Sequence, residues 1–174
     1  MGNTKYDLFL KFMPKTGKVL DLGCGMGSDS IHFQEIGYDV LAVDKTDELL
    51  DDAKKNGVKK TLRLSSINDF TFVNEFDGIW ADESLLKVPS KELNNVLKKC
   101  GKALKNNGVF YCSFLYSTYQ GDTVETYYKN QTEDSILSYL KDTGLVFASV
   151  NMSDEVKKDH TNRWLNAVLV KTGA

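Results

Sequence analysis

The stretch Lys18-Val19-Leu20-Asp21-Leu22-Gly23-Cys24-Gly25-Met26-Gly27-Ser28 constrains this chain more than any other. Val19, Leu20 and Leu22 read as a buried strand, and glycine then takes every second position. Glycine reaches backbone conformations that a Cβ forbids and lets a ligand approach the main chain closely. Ser28 to Ile36 reads as a helix, with Ser28 or Asp29 placed to cap its first N–H groups. Strand, glycine turn and helix N-terminus together form a place where a nucleotide-like ligand lies against bare backbone.

The spacing departs from the dinucleotide fingerprint G-x-G-x-x-G, because the glycines are Gly23, Gly25 and Gly27 and position 28 is serine. Alone, such a turn is a weak signal. A second strand, Tyr38 to Asp44, ends in an acid 21 residues beyond Gly23. At that spacing a carboxylate is placed to accept hydrogen bonds from two ribose hydroxyls. The combination is far more specific than either half.

Asp21 to Gly27 resembles the first motif of class I S-adenosylmethionine-dependent methyltransferases, and Val43-Asp44 resembles their second. Phe76 to Ala81, Ser84-Leu85-Leu86 with Val88-Pro89, and Trp164-Leu165-Asn166 resemble a bacterial subgroup of small members of that family. The resemblance implies an α/β fold: a Rossmann-like, seven-stranded, mostly parallel sheet with helices on both faces and a C-terminal antiparallel hairpin. It also implies S-adenosyl-L-methionine as cofactor and a small-molecule acceptor. A nicotinamide-dependent oxidoreductase is disfavoured by Ser28 and by the aromatic C-terminal hairpin. A non-catalytic S-adenosylmethionine or S-adenosylhomocysteine binding module, acting through a partner, shares the donor motifs and differs only on the acceptor side.

Length, composition and charge set the remaining bounds. A chain of 174 residues reads as one domain, 1–174. With net charge −2 it offers no broad basic field for nucleic acid. Three cysteines without paired spacing suit reduced thiols and a cytoplasmic location. No apolar run approaches the ~20 residues of a membrane span, and no His/Cys/Asp cluster has metal-ligand spacing.

Elsewhere the periodicity predicts helices over Thr4 to Met13, Thr46 to Lys55, Ser90 to Leu104 and Thr132 to Asp142. Residues 1–16 read either as a helix packed beside the sheet or as a lid over substrate. Thr46, Ser90 and Thr132 are the expected caps, and Ile136, Leu137 and Leu140 the inward face of the last helix. Strands are expected at Lys60 to Leu64, Phe76 to Ala81, Val109 to Tyr116, Gly144 to Met152 and Arg163 to Lys171. Asn106-Asn107-Gly108 reads as a turn, Ser117 to Asn130 as a long loop and Ser153 to His160 as a charged turn.

The resemblance carries roles onto particular residues. Asp21 orients the glycine turn or reaches the methionine amino group. Backbone at Gly23, Cys24, Gly25 and Gly27 approaches the donor, with Cys24 a small filler. Asp44 clamps the ribose with Lys45 beside it. Ser66 and Ile67 stand against the adenine, and Ala81 closes the set. Methyl transfer from a sulfonium needs chiefly alignment of nucleophile and methyl, so a catalytic side chain is optional. On the acceptor side Asp82 and Glu83 are candidate bases and Lys87 a cation for an anionic acceptor. Tyr116, Tyr119, Tyr127, Tyr128 and Arg163 are candidate acceptor contacts. His32 and His160 read as structural and solvated.

Overall fold

A computed structural model describes residues 4–116 and 131–173. Its centre is β1 (Lys18–Leu22), four of whose five residues are buried. It pairs in parallel with β2 (Asp39–Asp44) on one side and β4 (Phe76–Ala81) on the other. With β3 (Thr61–Arg63), β5 (Leu104–Leu115), β6 (Leu145–Val156) and β7 (Thr161–Lys171) they form one seven-stranded sheet, ordered β3-β2-β1-β4-β5-β7-β6. β7 runs antiparallel to both its neighbours, β5 and the edge strand β6. The near-continuous apolar runs of β1 and β4 follow from burial on both faces, as parallel strands require.

One face is covered by α1 (Lys5–Leu10), α2 (Ser28–Glu35) and α3 (Asp47–Asn56). There Trp80 stacks on Tyr111 at 4.0 Å and meets Phe9 and Phe33 edge-on at 5.3 and 5.1 Å. Aromatic pairs of such geometry contribute about 0.5–1.5 kcal/mol each beyond their buried area. Ala53 and Val58, in and just after α3, pack on Ala42. The opposite face carries α4 (Ser90–Ala103) and α5 (Glu133–Tyr139). Leu93, Val96, Leu97 and Cys100 of α4 form the apolar stripe facing Ile79, Phe110 and Leu169.

Several expectations are corrected at element ends. Gly27, not Ser28 or Asp29, is the N-cap of α2, with φ +90° and no side-chain cap bond. The Asp29 carboxylate is instead taken by Tyr6 Oη–H and by Trp80 Nε1–H, the latter at 2.9 Å. Ser90 is the first helical residue of α4 and Pro89 its cap. Thr46 caps α3 by position alone, its N–H donating to Asp44 Oδ1 at 3.1 Å. Thr132 does cap, in a reciprocal box with Ser135. Ile136 and Leu140, four residues apart on one helix face, are buried, while Leu137, about 100° round from Ile136, points outward at 57% exposure; α5 ends at Tyr139, short of the length predicted.

The segment Asn106-Asn107-Gly108 turns inside β5 rather than before it. Phe76 pairs with Leu104 and Gly78 with Val109, so the β5 side carries extra residues as a bulge, with Asn107 at φ +66°. The last two strands run further than expected, β6 reaching Val156 and β7 starting at Thr161. Trp164 Nε1–H donates to Glu155 at 3.1 Å and Arg163 faces Asp154 at 3.8 Å, tying this extension across the strands.

Candidate active site

The chain runs β1, β2, β3 towards one sheet edge and then returns to place β4 on the other side of β1. Strand order therefore reverses between β1 and β4, and ligands of open α/β sheets bind beyond the C-terminal ends at such a point. A cleft of about 500 Å³ lies there. Gly23, Asp44, Lys45, Ser66, Ile67 and Glu83 line it, with Ser84 and Lys87 on the β4 side.

The turn between β1 and α2 uses its glycines for different purposes. Gly23, Gly25 and Gly27 all have positive φ, of 81°, 55° and 90°. A Cβ on Gly27 would lie 2.5 Å from Val58 Cγ2, so that glycine is required by packing of the turn on its own fold. A Cβ on Gly23 would lie 2.5 Å from Ser84 Cβ. At Gly25 no atom of the described residues, its own chain neighbours aside, lies within 4 Å of that position, which leaves its backbone facing open space.

The backbone donors of the turn are largely engaged. Gly23 N–H and Cys24 N–H both donate to Val43 O at 2.9 Å, and Gly27 N–H donates to Cys24 O at 3.0 Å. Gly25 N–H donates to Asp44 Oδ2 at 3.0 Å. With Thr46 N–H on its other oxygen, the Asp44 carboxylate is locked at the tip of β2. Each carboxylate oxygen keeps a further lone pair for a ligand hydroxyl.

Asp21 sits behind the turn, not in the cleft lining. It is 2% exposed and accepts from Ser30 Oγ–H at 2.6 Å, which ties β1 to α2. Burial first, then the charges of Asp29, Asp82 and Asp44, lift its carboxyl to about 7, against the opposing Ser30 hydrogen bond. Burial likewise pushes the Cys24 thiol up to about 12, which suits a filler and not a thiolate. Ala81 is fully buried at the end of β4, with its side chain in the core cluster beneath α4.

The two acids at the β4 tip are distinguished by their partners. Asp82 is paired with Lys5 of α1 and accepts from Ser113 Oγ–H at 3.0 Å. Glu83 lines the cleft with φ +61°, a left-handed conformation that is costly for a residue with a Cβ. Ser113 Oγ accepts from Glu83 N–H at 2.8 Å and so supports that conformation. Burial, followed by the Asp82 charge, raises the Glu83 carboxyl above the usual glutamate range, while Lys5 pulls the other way.

Other acceptor candidates lie elsewhere. Tyr116 and Arg163 sit together, the guanidinium 5.7 Å from the ring centroid. They line a second cavity of about 520 Å³ that shares no lining residue with the first. Tyr119, Tyr127 and Tyr128 lie outside the described residues. His32 is stacked on Tyr6 at 3.9 Å, and His160 stands exposed beside Asp159. Sequence reasoning missed two features, the Tyr6–Asp29–Trp80 network that seats α1 and the hydroxyl of Ser84. That Oγ is buried and has no hydrogen-bond partner among the described residues. In the sequence Ser84 stands in the Ser84-Leu85-Leu86 stretch just past β4, which carries no sign that its hydroxyl is buried.

The cleft over Gly23, the anchored Asp44 carboxylate and the Ser66–Ile67 loop beside it fit an adenosyl group laid across the strand tips. A Rossmann-like methyltransferase architecture is the class that this sheet and cleft define. The family model described as "Methyltransferase domain" matches residues 19–108, just over half of the chain, and the chain belongs to that S-adenosylmethionine-dependent family. The Bacillus subtilis protein YqeM, whose name places it among methyltransferases, is 25% identical over 173 residues, covering 92% of this chain. This chain spans 66% of that relative's length, just under two thirds.

Among solved structures, a Methanosarcina mazei S-adenosylmethionine-dependent methyltransferase superposes with a TM-score of 0.82 at 16% identity, covering 97% of this chain and 99% of its own. The Burkholderia thailandensis 1,6-didemethyltoxoflavin-N1-methyltransferase, solved with 1,6-didemethyltoxoflavin and S-adenosylhomocysteine, gives a TM-score of 0.79 at 20% identity. It covers 97% of this chain and 77% of its own. At these identities the likeness is one of fold. No helix among the described residues is long and apolar enough to cross a membrane.

Proposed function

We propose that this chain transfers the methyl group of S-adenosylmethionine to an oxygen or nitrogen of a small polar acceptor, working mainly by positioning. The observation that carries the reading is the single cleft shared by Gly23, Asp44, the Ser66–Ile67 loop and Glu83. When bound, the cofactor supplies a methyl group already activated on a sulfonium centre.

Asp44 accepts from the ribose hydroxyls, its orientation held by Gly25 and Thr46 N–H. Ser66 and Ile67 flank the adenine, with Lys45 at the rim. Asp21 acts from behind, holding α2 to β1 through Ser30. Glu83 is the base: it lines the cleft, and its raised carboxyl pKa suits proton removal near neutral pH better than an ordinary glutamate. With an acceptor aligned in the cleft, its proton would pass to the Glu83 carboxylate. Asp82, bound by Lys5 and Ser113, positions the strand tip and does not take the proton. Lys87 stands at the cleft for an anionic group of the acceptor.

Calorimetry with S-adenosylhomocysteine tests the donor half. Saturable binding is expected, weakened at least about tenfold in Asp44→Ala, since a hydrogen bond to a charged group is worth about 1.5–3 kcal/mol. Binding of NAD without binding of S-adenosylhomocysteine would end the reading.

A further inference from the structure

Backbone strain singles out one residue at the β4 tip. Among the described residues, the non-glycine positions with positive φ are Asn74, Asn107, Asp142 and Glu83. Asparagine and aspartate visit that region with short side chains that bond locally, and glutamate has no such help. Glu83, at φ +61°, is therefore held by other groups, since a strained conformation persists only where its surroundings over-determine it.

The hold is the buried hydroxyl of Ser113, a β5 residue 1% exposed. Its Oγ accepts from Glu83 N–H at 2.8 Å, and its proton goes to Asp82 Oδ1 at 3.0 Å. Charge fixes that direction. The Asp82 carboxylate is paired with the Lys5 ammonium and has no proton to give, so Ser113 donates to it and keeps its lone pairs for Glu83. Tyr111, two residues earlier on β5, does not compete as a donor, because its Oη–H is given to Asn166 Oδ1 at 3.0 Å. Lys5, Asp82, Ser113 and Glu83 thus form a chain from α1 to the cleft, and neither Lys5 nor Ser113 lines that cleft.

We infer that Ser113 is a positioning residue that presents the Glu83 carboxylate to the acceptor, an inference that rests on Glu83 being the base. Ser113 touches no ligand and acts by fixing the backbone from which that carboxylate reaches the cleft. Without the hydroxyl, Glu83 N–H loses its partner and φ returns to negative values, which turns the carboxylate away from the cleft. The charged groups acting on the Glu83 carboxyl are Asp82, Lys5 of α1, and Glu155 and Lys157 of the β6–β7 hairpin. A change at Ser113 leaves all four in the chain.

The test reads Glu83 directly by NMR and needs no acceptor. Carbon-13 at the glutamate carboxyls follows its titration, with the Glu83 signal assigned by its loss in Glu83→Gln, and amide hydrogen exchange follows its N–H. In wild type the carboxyl is expected to titrate above the ordinary glutamate range and the amide to be protected. In Ser113→Ala the Glu83 amide is expected to exchange about tenfold faster, as loss of one hydrogen bond implies. Its carboxyl should fall back to the ordinary range, with S-adenosylhomocysteine affinity in calorimetry unchanged. Ser113→Cys, close in size but with a weakly accepting sulfur, should behave as Ser113→Ala, so the outcome does not depend on one variant folding. Ser113→Thr, which keeps the hydroxyl, should retain both wild-type readings. A serine that only supports the fold would lower the melting temperature and leave the Glu83 titration in place. That result, a protected Glu83 amide in Ser113→Ala or Ser113→Cys, or Ser113→Thr behaving as Ser113→Ala would overturn the positioning role. A wild-type Glu83 titrating in the ordinary range would instead overturn the base reading.

Discussion

Asp21 is a carboxylate that the fold holds in a place where its charged form is penalised. Burial is the largest cause and the charges of Asp29, Asp82 and Asp44 add to it, lifting the pKa from 3.8 to about 7. Because the folded value exceeds the unfolded one, the protonated group favours the native state. The associated stability is complete below about pH 4 and is lost as pH rises through about 7. Over the whole titration the shift amounts to about 4 kcal/mol, of which more than half falls between pH 5 and pH 8.

Asp21→Asn removes the titration while keeping an oxygen to accept from Ser30 Oγ–H. Wild type and variant, unfolded in urea at pH 5, 6, 7 and 8, should therefore diverge, the variant gaining about 3 kcal/mol on wild type across that range. In thermal melts of a chain this size the same divergence is about 5–10 °C. Parallel stability curves for the two proteins would show that Asp21 does not titrate in this window, and would refute the account of its environment. A fixed offset between parallel curves would report only the changed hydrogen bonding at Ser30.

Two further tests address the acceptor side and the turn. Glu83→Gln should lower kcat about a hundredfold, in the lower part of the range for a general base, with S-adenosylhomocysteine affinity unchanged. Wild-type turnover should rise with pH through an apparent pKa above the ordinary glutamate value, and that limb should vanish in the variant. Turnover within threefold of wild type would remove Glu83 as the base. Gly25→Ala and Gly27→Ala both place a Cβ at positive φ, but only Gly27 meets protein atoms there. Gly27→Ala should lower the melting temperature clearly more than Gly25→Ala, whereas Gly25→Ala, folded, should lose ligand binding in calorimetry. Equal melting temperatures with intact binding in Gly25→Ala would contradict the division of roles.

Much of the glycine turn and of the strands around it was legible before any coordinates. The glycines at 23, 25 and 27 and the acids at 21 and 44 belong to strand–turn–helix units whose demands act within a few residues. Alternating glycine answers three positive φ angles in a row, and the continuous apolar runs of β1 and β4 answer burial on both faces. Once β1 and β2 pair in parallel, Leu22 opposite Val43, the reach from Gly25 to Asp44 follows.

What the chain order could not decide was which polar groups would be free. Asp82 and Glu83 are adjacent and chemically alike, yet Lys5, 77 residues before Asp82, occupies one and leaves the other facing the cleft. Asp29 looks like a helix cap and instead serves Tyr6 and Trp80. Ser84 looks like any serine after a strand, yet its hydroxyl is buried and without a partner among the described residues. Tyr116 and Arg163 suit an acceptor pocket in composition but assemble at a different cavity. Backbone conformation and hydrophobic period are local properties, so sequence alone determined the sheet's core units and the donor turn. Hydrogen-bond availability depends on groups brought together from distant strands and helices, so only the tertiary structure decided which residues are left to do chemistry.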